Sequence, residues 1–115
     1  MNLIQPDWAD NFATTAGISL RNPELPQANT MDSSPTGKQN QQRLLRELHL
    51  HSGLMTVTQV HGDGIINADT SPAPSEADAI IARDASAAIG VIVADCPAVL
   101  LYDPTTGARA AIHSG

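Results

Sequence analysis

Val99-Leu100-Leu101-Tyr102-Asp103-Pro104-Thr105-Thr106-Gly107-Ala108-Arg109-Ala110-Ala111-Ile112-His113 sets two short apolar runs around a turn-forming pentapeptide. Proline and glycine within 103–107 suit a tight reversal, so the stretch predicts a hairpin with strands over 99–102 and 108–113. Upstream, apolar runs at 55–60, 64–67, 78–82 and 89–94 alternate with turn residues in the same way, which predicts a strand-rich region over 55–115. Ile89-Gly90-Val91-Ile92-Val93 is apolar at every side-chain position and predicts a central strand. After His113 only Ser114 and Gly115 follow, with no helix or polar tail, and the expectation is an incomplete half of a larger single domain.

Before residue 54 the composition differs. Pro23, Pro26 and Pro35, with several Asn and Gln, predict a polar loop over 21–42. Ser34-Pro35 reads as an N-cap followed by proline at the first helical position. Leu44, Leu45 and Leu48 recur at helical spacing, so an amphipathic helix is expected over 39–50, with Arg43, Arg46 and Glu47 on its wet face and Gly53 as its stop. The fold class expected is α/β: a mixed β-sheet with flanking helices.

The 115 residues are 42% hydrophobic but hold one Trp, one Tyr and one Phe, so the core must be built from Ala, Val, Ile and Leu. A net charge of −6 argues against a broad phosphate-binding face and so against polymeric nucleic acid as a partner. A single cysteine, Cys96, excludes an internal disulfide and a four-cysteine zinc site and fits a reducing compartment. The first ten residues lack the basic and apolar parts of a secretory signal, and the apolar run over 87–94 falls far short of the roughly 20 residues that span a bilayer. A cytoplasmic protein without a membrane partner is expected.

The scarce reactive side chains sit at expected strand ends: His61 after 55–60, Cys96 after 89–94, His113 at the end of 108–113. If those ends converge, two imidazoles and a thiolate meet. That donor set suits Zn²⁺ and leaves a fourth position open, the arrangement of catalytic rather than structural zinc. Each residue also has a plainer reading: Cys96 as a small core hydrophobe, His61 as a turn residue before Gly62-Asp63-Gly64, His113 as a surface group. His49 and His51, near a helix terminus, read as structural. Asp63, Asp78, Asp95 and Asp103 border strands; Asp78 and Asp95 are the candidates for supporting a ligand or for acid–base work. No phosphate-cradling glycine loop or nucleophile elbow is present.

Thr58-Gln59-Val60-His61-Gly62, Glu76-Ala77-Asp78-Ala79, Ala94-Asp95-Cys96-Pro97-Ala98-Val99-Leu100-Leu101-Tyr102-Asp103 and Ala110-Ala111-Ile112-His113-Ser114-Gly115 together resemble the laccase-domain family, also called multicopper polyphenol oxidase or purine nucleoside phosphorylase. The four blocks occur in family order over residues 55–115. The resemblance implies that His61, Cys96 and His113 bind zinc, with copper as the older, disputed assignment. It further implies phosphorolysis of adenosine, inosine, guanosine and methylthioadenosine, adenosine deamination, and purine nucleoside and phosphate as substrates. In the amino-terminal part, Ala16 stands about where the family usually has an Arg, and Asn40-Gln41 occupies the place of an Asn-Arg pair, with Arg43 two residues on. A guanidinium fork pairs bidentately with phosphate, so Arg43 is kept as a catalytic candidate although it stands two residues off the family's position.

Two readings of other classes compete with a zinc nucleoside enzyme. One is a metal-free hydrolase with Cys96 as nucleophile and His113 or His61 as base. The other is a non-catalytic remnant or binding module. Self-association through an uncovered half-domain face is expected in each case.

Overall fold

The computed structural model describes residues 3–12, 14–22, 31–71, 75–84 and 86–115. The chain forms two compact units, Met1–His51 and Ser52–Gly115.

In the first unit, β1 (Leu3–Ile4) pairs antiparallel with β2 (Ile18–Ser19), and a short 3-10 helix covers Asp7–Asn11 between them. Helix α1 (Pro35–Glu47) begins as the sequence predicts: Ser34 Oγ accepts the Gly37 amide at 3.0 Å, and Pro35 occupies the first turn, where its missing N–H is not needed. The polar loop expected over 21–42 therefore ends at Ser34, since the capped start turns 35–42 into helix; residues 23–30 of that expectation lie outside the described residues. Leu45 and Leu48 are buried, at the spacing that the helical period requires. The helix does not run on to Gly53. His49 adopts a left-handed φ of 57°, its amide bonds Arg46 O at 3.0 Å, and the Leu50 amide bonds Leu45 O at 2.8 Å. This is a Schellman closure with a histidine where glycine is usual.

In the second unit, β3 (Leu54–Met55) pairs parallel with β6 (Ala88–Ile89). A four-stranded sheet is built from β4 (Ile65–Asn67), β5 (Ala79–Ala82), β7 (Ala98–Tyr102) and β8 (Arg109–His113), in the order β4-β5-β8-β7. Its β4–β5 pair is parallel and the other two pairs are antiparallel, which makes the sheet mixed as expected. The predicted hairpin joins β7 to β8. Asp103 ties its turn, accepting the Thr105 amide at 2.9 Å and the Thr106 hydroxyl at 2.8 Å. These bonds, the Thr105 amide first, hold the Asp103 carboxyl below the usual carboxylate range. Gly107 closes the turn at φ 75°, where a Cβ would be strained.

Side chains alternate across this sheet. Ile66, Ile80, Ala111 and Leu100 line up on one face, where Ile80 and Ala111 form the core with Val57 and Ala77. That core contains no aromatic ring. On the opposite face Ile65, Ile81, Val99 and Leu101 are exposed, Ile65 by 64% and Leu101 by 54%. An uncovered apolar face, as anticipated, is thus formed by β4, β5 and β7.

The run over 89–94 is not a central strand. Only Ala88–Ile89 pairs, and Ile92 is exposed. Beyond Ile89 a side chain takes the place of a neighbouring strand: Gln59 Oε1 accepts the Ile92 amide at 2.7 Å and Gln59 Nε2 donates to Ile92 O at 2.6 Å. The run over 55–60 shortens likewise to Leu54–Met55 and a lone parallel bridge between Thr58 and Glu76. No helix among the described residues is long and apolar enough to cross a membrane.

Candidate metal centre

The hairpin register decides where the reactive groups meet. In the β7–β8 pair Ala98 lies opposite His113, and the Ser114 amide bonds Pro97 O at 2.9 Å, so Cys96 is delivered next to the end of β8. Cys96 thus sits in a bend leading into β7, not after a strand over 89–94. His113 shares the inner face with Ala111, two residues earlier, and is 6% exposed.

Asp78 precedes β5. Since Ala79 pairs with Ile112, Asp78 falls opposite His113, whose amide bonds Asp78 O at 2.7 Å. The side chains repeat the link, with His113 Nδ1 2.8 Å from Asp78 Oδ1. The same carboxylate accepts the amides of Val60 (3.3 Å), His61 (3.0 Å) and Gly62 (2.8 Å). A run of backbone N–H groups curled around an anion is a nest, and His61 supplies its left-handed residue at φ 58°. Asp78 is 2% exposed, yet the Gly62 amide foremost, followed by His113, holds its carboxyl down to about 2. It is an ionised acceptor at neutral pH.

Held in this way, the His61 and His113 rings meet edge to face, with centroids 4.9 Å apart and planes at 87°. One donor atom each from His61, Cys96 and His113 lies within 4.8 Å of the others. Metal bonds of about 2.0–2.3 Å require donors roughly 4 Å apart, so small side-chain rotations close the triangle. His113 uses Nδ1 toward Asp78, which leaves Nε2 for a cation. The donors are graded in burial: His113 is buried, Cys96 half-buried and His61 exposed, so the cluster opens to solvent on the His61 side. Two nitrogens and a thiol on an open cluster fit a borderline-soft divalent ion with a free position.

The other candidates are placed differently. Asp95 is exposed, with Oδ1 3.9 Å from Cys96 Sγ. Arg43 is exposed on α1, in the first unit. Asp103 belongs to the hairpin turn. Two contributors carried no signal of their own in the sequence. Gln59 reaches Ile92 across 33 positions, and Gly115 lies so close to the rings that a Cβ there would stand 3.2 Å from His113 Cε1 and 3.2 Å from His61 Cδ2.

Residues 24–115 match the protein family described as multi-copper polyphenol oxidoreductase laccase. The chain is similar to a purine nucleoside phosphorylase of Clostridium acetobutylicum, 44% identical over 57 residues that make up 50% of this chain and 24% of the relative. A purine nucleoside phosphorylase of Streptomyces coelicolor is 38% identical over 63 residues, 51% of this chain and 26% of the relative. The chain therefore spans about a quarter of the curated relatives it matches. In fold it is similar to a Neisseria meningitidis protein of family DUF152, with a TM-score of 0.64 at 24% identity over 76% of this chain and 38% of the other. A Bacillus licheniformis protein, YfiH, gives a TM-score of 0.61 at 20% identity over 75% and 36% of the two chains.

Proposed function

Because this chain belongs to the multi-copper polyphenol oxidoreductase laccase family, we propose that it forms the amino-terminal part of a zinc-dependent purine nucleoside enzyme domain. The observation that carries this reading is the meeting of His61, Cys96 and His113, from three separate segments, within 4.8 Å. The similarity to proteins named purine nucleoside phosphorylases supports the substrate class. On this reading the three residues hold zinc, with copper as the competing ion. Bound there, the ion would supply Lewis acidity and a water of lowered pKa.

The chain's own groups then take distinct roles. The exposed side of His61 is where a nucleoside approaches. Asp95, exposed beside Cys96, is assigned the proton transfer on the substrate. Asp78 is engaged by four donors, so it holds the site and does not carry protons. Phosphorolysis also requires a phosphate-binding group, for which the family resemblance offers Arg43. The reactions proposed are phosphorolysis of adenosine, inosine and guanosine to base and ribose 1-phosphate, phosphorolysis of methylthioadenosine to adenine and 5-methylthioribose 1-phosphate, and deamination of adenosine to inosine.

The test combines metal analysis of this chain purified without added metal with nucleoside product assays, with and without phosphate, on a version extended to the length of its relatives, since this part alone is expected to be inactive. Stoichiometric zinc, free base only with phosphate, and inosine from adenosine without it are expected. Protein that binds no metal and leaves every nucleoside intact overturns the proposal. If Cys96 is in addition alkylated at one rate with and without chelator, the metal-free Cys–His hydrolase becomes the better reading.

A further inference from the structure

We infer that Asp78 is the positioning residue of this centre: one buried carboxylate fixes both the His61 turn and the tautomer of His113, so the two imidazoles are prearranged before any cation arrives. The inference rests on the metal reading above only for its use; its geometry stands alone.

Both Asp78 oxygens are committed. Oδ2 takes the Val60 and Gly62 amides, and Oδ1 takes the His61 amide and faces His113 Nδ1 at 2.8 Å. Three of those four partners are backbone N–H groups, which can only donate. A carboxyl proton could avoid them only by pointing at His113 Nδ1, and there the more basic imidazole nitrogen takes it, so the hydrogen between the two groups sits on Nδ1. In the neutral ring Nε2 is then the bare nitrogen, the one able to ligate. In water the common neutral imidazole carries its proton on Nε2, so a ligand held in the other form loses nothing to tautomer exchange when metal binds.

The same atoms constrain His61. A non-glycine residue at φ 58° is uncommon, and here it is held by the amides of residues 60, 61 and 62 closing on one anion. His113 is thereby tied to a turn over fifty residues away in sequence, and the edge-to-face ring contact at 4.9 Å follows from their common anchor.

The experiment has a metal-free arm and a metal arm. Imidazole ¹⁵N spectra of the metal-free protein should show His113 as the Nδ1–H tautomer, and Asp78→Ala should shift it toward Nε2–H while β5–β8 amide resonances persist. Zinc titration should show the dissociation constant rising about 10- to 100-fold in Asp78→Ala, the range expected when a ligand's hydrogen-bond partner is lost. Asp78→Asn is the second variant, of equal shape. It has one acceptor oxygen for two sets of donors, so it should not restore affinity. An Nε2–H tautomer in the wild type, or zinc affinity within twofold of wild type in a folded Asp78 variant, overturns the inference. If the wild type takes up no zinc, the metal reading fails on its own, and the His113 tautomer still decides the role of Asp78. The wild-type spectrum also decides it if neither variant folds.

Discussion

Asp78 and His113 face each other one step beyond the Ala79–Ile112 pair and are joined twice, by the His113 amide to Asp78 O at 2.7 Å and by Nδ1 to Oδ1 at 2.8 Å. The β5–β8 register is thus written into the site itself. A slip of one residue between the strands would put the two side chains on opposite faces and dissolve the cluster.

Cys96 tests the donor set most directly. Cys96→Ser should abolish zinc retention and leave far-UV circular dichroism nearly unchanged, because Cys96 lies in a bend outside the sheet. In the wild type, alkylation of Cys96 should be slow with metal and fast after chelation, followed by mass spectrometry.

Ile80 is the fully buried large side chain at the centre of the sheet. Ile80→Val should cost about 0.5–1.5 kcal/mol and Ile80→Ala about 2–5 kcal/mol in urea unfolding, the difference reflecting the cavity left behind. A loss below the lower bound for alanine would mean that the sheet collapses around the site.

His49 offers a gain. It is exposed and left-handed at the helix closure, so His49→Gly should stabilise the first unit by about 0.5–1 kcal/mol, read as a higher unfolding midpoint. No loss of zinc content should accompany it.

The Asp103 turn carries a pH dependence. Its carboxyl is depressed in the folded chain, so its stabilisation is fully present above the unfolded value of about 3.9 and is lost as pH falls through the folded value. Asp103→Asn should lower stability at neutral pH and flatten the acid limb of the stability curve below about pH 4. An unchanged acid limb would mean that the turn bonds persist in the unfolded chain.

The exposed face across β4, β5 and β7 predicts association of the isolated chain. Sedimentation should show oligomers whose fraction falls in the Ile81→Thr, Leu101→Lys double variant. A cooperative monomer at all concentrations would show that this face tolerates water.

Local chemistry in the sequence determined a good deal. The Asp103–Gly107 turn, the Ser34 cap with Pro35, and the leucine spacing of α1 are each decided within a few residues, and the structure places them where those residues imply. His61, Cys96 and His113 were legible as a donor set because a chain with four histidines and one cysteine offers few others. Tertiary structure decided the rest, for one reason: these features depend on partners far away in the chain. Apolar content made 89–94 look like a central strand, but a strand needs a neighbour, and beyond Ile89 the Gln59 amide fills that place. Helix spacing could not foresee that His49, rather than Gly53, would take the left-handed closure. The sequence marks Asp78 and Asp95 alike as candidates to support a ligand, and only the β5–β8 pairing, which puts Asp78 opposite His113, and the 60–62 turn, which folds its amides around it, separate the two. Residue type sets what a side chain is able to bind, but only the register of strands distant in sequence sets what stands within reach of it.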